Sequence, residues 1–147
     1  MEYNLQELTE ILKKNKLRVT QSRLAVSAIL LKAKGTPLTP EEIFKRIKKS
    51  KSLKSDQVSV YRALGCFEEL KLVTKSTFYG EASRYSLCEP AKSDKHEHYF
   101  KCDVCNLIEP FSGCLVGKKE KELQNKGYKN LRHHLEINGT CPTCAQS

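Results

Sequence analysis

The chain has 147 residues with a formal net charge of +9, seven cysteines and no tryptophan. That length suits one compact domain or two small ones, the smaller of which would need a staple such as a metal. No apolar run approaches the ~18 residues of a membrane span, and the start MEYNLQELTE lacks a basic leader followed by an apolar core, so a cytoplasmic protein without a membrane partner is expected. The charge is unevenly divided: residues 1–87 carry 17 Lys/Arg against 9 Asp/Glu (+8), and residues 88–147 carry 9 against 8 (+1). A positive field confined to the front half points to a polyanion, most simply nucleic acid; a basic surface that serves solubility alone is the bland alternative.

Leu5, Leu8, Ile11 and Leu12 recur at helical spacing and predict an amphipathic helix over 3–16. Thr20 is a good N-cap for a second helix, with Leu24, Ala28 and Leu31 on one stripe and an end near Gly35. Arg23 falls in its first turn, where a cation opposes the helix dipole; that placement suits an external phosphate, the alternative being a solvated arginine. Thr39-Pro40-Glu41-Glu42 combines an N-cap, a proline at the first helical position and a capping-box glutamate, so a third helix runs to about Lys49. After KKSKSLKS a fourth helix runs from Ser55 or Asp56 to about Lys71; Val60, Leu64 and Phe67 share its inner face and Arg62 points nearly opposite. Residues 73–78 and 84–87 read as strands around the turn Tyr79-Gly80-Glu81-Ala82. Helices followed by a hairpin in a basic segment describe a winged helix-turn-helix over 1–87, its fourth helix entering the major groove of double-stranded DNA.

Residues 88–95 are polar, contain Pro90 and lack apolar periodicity, which marks a hinge. Beyond it, 98–101 and 107–111 read as strands, 115–126 as a Lys/Glu-rich helix and 128–138 as a further strand, making 96–147 a small α/β unit and the whole chain α+β.

Cys102-x-x-Cys105 and Cys141-x-x-Cys144, 35 residues apart, are the strongest chemical signal. Closely paired cysteines in a cytosolic chain bind metal more often than they form disulfides, and four thiolates in two knuckles suit a closed, redox-inert tetrahedral zinc; disulfide pairing or a redox switch is the competing reading. Such a zinc has no open position for catalysis, so it is a staple. The histidines need a second account. His96 and His98, two apart on a strand, point to one side; His133 and His134, on the later strand, point to opposite sides, so one of them can join the first pair. Imidazoles suit zinc, iron, nickel or copper, and surface histidines near a domain junction are the alternative.

With these residues placed, the chain from about Leu5 onward resembles the ferric uptake regulator family of bacterial metal-dependent repressors. The likeness is carried by Leu17-Arg18-Val19-Thr20-Gln21-Ser22-Arg23-Leu24, by Val60-Tyr61-Arg62-Ala63-Leu64, by the histidine-rich strand entering C-x-x-C, and by Leu135-Glu136-Ile137-Asn138-Gly139-Thr140-Cys141. It implies a homodimeric transcriptional repressor: the back domain dimerises, the winged helices bind an inverted-repeat operator, and metal occupancy sets their relative pose. It assigns Ser59, Tyr61 and Arg62 to DNA contact, Arg23 to phosphate contact, and Cys102, Cys105, Cys141 and Cys144 to structural zinc.

The regulatory site departs from the family pattern. Histidines usually stand three and five residues before the first knuckle cysteine, where this chain has Tyr99 and Glu97; Ser86 and Pro110 occupy the places of the usual carboxylates. A peroxide sensor of this family needs that iron site, so this role is not expected. His96, His98 and His133 instead resemble the family's other metal site, near the dimerisation domain. Its usual carboxylate falls at Gly117, leaving Glu109, Cys114 or Glu120 as substitutes. Cys88 is similar to a hinge thiolate of zinc-responsive members, the alternative being a small hydrophobe closing the wing. The expected cofactors are a structural Zn2+ and a second, regulatory divalent metal, Zn2+ or Fe2+. The alternative function is a metal-independent winged-helix regulator with structural zinc only. A zinc enzyme is not expected, because the deaminase pattern H-x-E with P-C-x-x-C fails at Glu97 and Pro142 and no nucleophile constellation appears.

Overall fold

The computed structural model describes residues 3–78, 80–88, 98–111, 113–133 and 135–146. The chain divides into two compact units between Ser93 and Asp94.

In the first unit each helix begins where a side chain satisfies the free amides of its first turn. Asn4 caps α1 (Leu5–Lys14) in a capping box with Glu7, Thr20 caps α2 (Gln21–Lys32), Thr39 caps α3 (Pro40–Lys49) in a box with Glu42, and Asp56 caps α4 (Gln57–Glu69). The helices bury Leu8, Leu12, Val26, Ile29, Leu30, Ile43, Ile47, Val60, Leu64 and Phe67 in one core. β1 (Val73–Ser76) and β2 (Arg84–Leu87) pair antiparallel with Val73 opposite Leu87, and Gly80 takes φ +72 in the connection. Tyr79 lies outside the described residues. Leu38 exchanges both backbone hydrogen bonds with Tyr85, so the segment before α3 adds an edge to the hairpin. The winged helix-turn-helix expected from helices, hairpin and charge is the architecture found.

In the second unit β3 (His98–Cys102) is central, antiparallel to β4 (Ile108–Phe111) on one side and parallel to β5 (Glu136–Gly139) on the other; α5 (Gly117–Asn125) lies between β4 and β5 in sequence, and α6 (Pro142–Ala145) follows. The expected strand over 128–138 is corrected to Glu136–Gly139, which starts eight residues later and ends one residue further on. Gly127 (φ +92) and Asn130 (φ +56) adopt left-handed backbone, which cannot continue a pleat, so the stretch carrying His133 is irregular. His134 lies outside the described residues.

Leu64 is 1% exposed within the helical core, and Leu64→Ala is expected to cost about 2–5 kcal/mol. Urea unfolding followed by circular dichroism checks this; a loss below about 1 kcal/mol would show that the core closes around the gap.

Candidate metal centres and nucleic-acid face

The inner face of α4 buries Val60, Ala63, Leu64 and Phe67, which leaves Val58, Tyr61, Arg62 and Gly65 exposed at helical spacing on the opposite face. Val58 is 58% exposed and Tyr61 46%. An apolar side chain left out of the core stripe was the sequence signal for Val58, which the reading from motifs passed over. The Tyr61 hydroxyl donates to the Glu41 carboxylate on α3, which holds Glu41 below the ordinary carboxylate range and raises the Tyr61 phenol above its own. Ser59 serves the start of the helix: its N–H donates to Asp56 Oδ1 at 2.9 Å and its hydroxyl to Oδ2 at 2.6 Å, and these bonds lower the Asp56 pKa. Arg23 has its amide on Thr20 Oγ1, and its guanidinium Nη1 donates to the Arg18 carbonyl, so part of its donor fork is already used inside the protein.

Arg84 on β2 was not singled out from sequence. Its side chain is 12% exposed and its Nη1 lies 2.8 Å from Glu42 Oε2, the oxygen that also accepts the Thr39 amide. One carboxylate thus caps α3 and ties it to the wing.

In the small unit the parallel register sets Cys102 beside Gly139, two residues before Cys141, so both knuckles leave the same end of the sheet. The sulfurs of Cys102, Cys105, Cys141 and Cys144 lie within 4.8 Å of one another, with Cys105 and Cys141 3.8 Å apart. Tetrahedral zinc with bonds of about 2.3 Å spaces its sulfurs at about 3.8 Å. Amides of Cys105 and Cys141 directed at Cys102 pull its thiol down to about 6, whereas the neighbouring sulfurs push Cys144 up to about 12. Four sulfurs this close cannot all ionise without a cation among them, and the donor set fits a closed zinc site.

A second group gathers at the other end of β3. His98 is 4% exposed and tilted against the Phe111 ring at 5.7 Å. His133 Nε2 lies 3.3 Å from Cys114 Sγ and 3.5 Å from His98 Nε2, while its Nδ1 lies 2.6 Å from Glu120 Oε1. The ligand atoms of His98, Cys114 and His133 all fall within 4.8 Å of one another.

The Ferric uptake regulator family profile matches residues 14–138. The chain belongs to the ferric uptake regulator family. It is 27% identical over 133 residues to the ferric uptake regulation protein of Haemophilus influenzae (90% of this chain, 88% of that one), and 28% identical over 145 residues to the peroxide operon regulator of Bacillus subtilis (98% and 95%). Among solved structures, the ferric uptake regulator of Vibrio cholerae aligns at a TM-score of 0.73 with 25% identity, covering 90% of this chain and 98% of that one. The Helicobacter pylori regulator, described as having three functional metal binding sites, aligns at 0.73 with 25% identity over 99% of this chain and 96% of its own. The family consists of metal-responsive transcription regulators that bind DNA, and its members are not enzymes.

Against this family frame, the two cysteine knuckles come together, and His98 meets His133. His96 and Glu97 lie outside the described residues. Glu109 is not among these converging ligand atoms: the register sets it opposite Phe100, two residues along the sheet from the His98–Phe111 pair, about 7 Å away. Cys114, one of the substitutes weighed, takes that place. Cys88 belongs to the first unit, where its sulfur lies 3.1 Å from Thr74 Oγ1.

Cys144→Ser is expected to abolish tight retention of one zinc per chain, because three thiolates no longer close the tetrahedron. Metal analysis after dialysis against a mild chelator, with amide exchange in β3 and β5, checks it. Zinc retained at one equivalent with unchanged exchange would remove Cys144 from the site.

Proposed function

We propose that this chain is a metal-dependent homodimeric repressor of metal-homeostasis genes, responsive to zinc or iron, which binds an inverted-repeat operator through α4 of each winged unit. One observation supports this reading above the others: the small unit holds two donor sets of different build. The four-cysteine set is closed and serves as a staple. The second set, His98 with Cys114 and His133, offers three protein donors, fewer than a closed site uses, and so suits a metal that exchanges. Residues 88–95 act as the hinge in this reading. His98 opens β3 soon after that hinge in sequence, so metal held there orders the start of the small unit and narrows the poses of the two winged units. A metal that binds the operator-competent pose better than the others raises DNA affinity by that difference alone.

On α4, Arg62 and Tyr61 reach the DNA, Val58 offers an apolar contact to a thymine methyl, and Arg23 uses its remaining donors on a phosphate. The exposed Ile137 on β5, an edge strand of the sheet, is suited to pairing with a second copy. His96 and Cys88 are further regulatory donors in this reading.

The test is fluorescence anisotropy with a duplex selected from a random pool by the zinc-loaded protein. Protein stripped of exchangeable metal should bind at least 10-fold more weakly, and one equivalent of Zn2+, or of Fe2+ under anaerobic conditions, should restore binding. Equal affinity with and without metal would leave the metal-independent regulator with structural zinc. Arg62→Ala should lower affinity by about 1–3 kcal/mol with the circular dichroism spectrum unchanged; a collapsed spectrum would reassign Arg62 to structure.

A further inference from the structure

We infer that Cys114 is a thiolate ligand of the second metal site and that Glu120 positions His133 for it, so that the site takes zinc in preference to ferrous or manganous ions. This rests on the reading that the second site binds a metal, and it names the donor that selects among metals.

Geometry carries the argument. Zinc held tetrahedrally by nitrogen at about 2.05 Å and sulfur at about 2.3 Å sets its nitrogens about 3.3 Å apart and nitrogen and sulfur about 3.6 Å apart. His98 Nε2 and His133 Nε2 are 3.5 Å apart, and His133 Nε2 is 3.3 Å from Cys114 Sγ, so both edges already have the dimensions of a coordination polyhedron.

The imidazoles are held for this purpose. His133 faces Glu120 through Nδ1 at 2.6 Å; an imidazole that donates its Nδ1–H to a carboxylate keeps its Nε2 lone pair for a metal. His133 and Glu120 are largely shielded, with side chains 12% and 23% exposed, and His98 is packed against Phe111. Glu120 lies behind His133, outside the group of converging ligand atoms, and is a positioning residue.

Cys114 is the donor that decides the metal. A Cβ built at Gly117 would lie 3.9 Å from both Cβ and Sγ of Cys114, an ordinary contact, so position 117 adjoins the thiol and as glycine offers no donor of its own. Among the described residues, the third donor converging on the two imidazoles is sulfur. A soft thiolate with imidazole suits zinc, whereas manganous ion is better served by carboxylate and water, and ferrous and manganous ions lie below zinc in intrinsic affinity for such ligands.

The experiment uses the full chain with its one tightly held zinc retained, checked by metal analysis, and titrates Co2+ as a spectroscopic probe. Wild type should bind one further Co2+ with tetrahedral visible bands and a near-ultraviolet thiolate-to-cobalt charge-transfer band. Zn2+ should displace the cobalt at stoichiometric addition, whereas a 100-fold excess of Fe2+ or Mn2+ under anaerobic conditions should not. Cys114→Ser should lose the charge-transfer band and bind Zn2+ at least 10-fold more weakly. Cys114→Ser combined with Gly117→Glu should recover cobalt binding without the band and narrow the preference for zinc over manganese. Glu120→Gln should keep the band while weakening affinity about 10- to 100-fold. A charge-transfer band unchanged in Cys114→Ser, with wild type still binding cobalt, would overturn this inference alone. Failure of wild type to bind a second metal would overturn the reading beneath it as well.

Discussion

The small unit depends on one pairing, the parallel ladder between β3 and β5. It aligns Tyr99 with Glu136 and Cys102 with Gly139, and so delivers the two cysteine knuckles to the same end of the sheet. A slip of one residue would turn the side chains of one strand to the opposite face and separate the knuckles. The buried apolar residues of this unit are few, Tyr99, Cys102, Ile108 and Cys141 among those described, two of them zinc donors. An apolar core that small cannot hold a sheet by itself, which makes the metal part of the fold.

The same strand carries both chemistries. His98 and Cys102 stand at its two ends, four residues apart, about 13 Å along the strand and on one face. That distance keeps the closed thiolate cluster and the His98–Cys114–His133 group separate. β3 is also the central strand, bonded on both edges.

In the first unit the opening turn of α3 is a junction. Glu42 accepts from the Thr39 amide and from the part-buried Arg84 guanidinium, tying helix cap to wing. Its neighbour Glu41 accepts the Tyr61 hydroxyl and steadies the exposed face of α4. Two carboxylates at a helix N-terminus are favoured there by the helix dipole. Both belong to the scaffold, one bracing the wing and the other the outer face of α4.

Local signals were enough for much of this. Thr20, Thr39 and Asp56 mark helix starts because a capping oxygen acts within three residues of its own amide, and C-x-x-C announces a thiolate knuckle because both ligands sit on one turn. Charge set the basic half of the chain at the front, and the spacing of Val60, Leu64 and Phe67 assigned the inner face of α4, hence Arg62 to the outer one. Those properties are encoded over a few residues and can be read from them. The ligand partner of His98 and His133 is encoded over no such distance. Glu109 is suitable by charge and lies one pair along the β3–β4 ladder from His98, whereas Cys114, in an irregular segment after Gly113, is brought to the imidazoles by the path of the chain from β4 into α5. The irregular stretch around Asn130 that presents His133 likewise depends on backbone geometry that no periodicity reveals. The sequence alone determined two domains, a basic winged helix and a thiolate staple; only tertiary structure decided which donors meet in the second site, because that depends on register and loop path, which are set by packing across the whole unit.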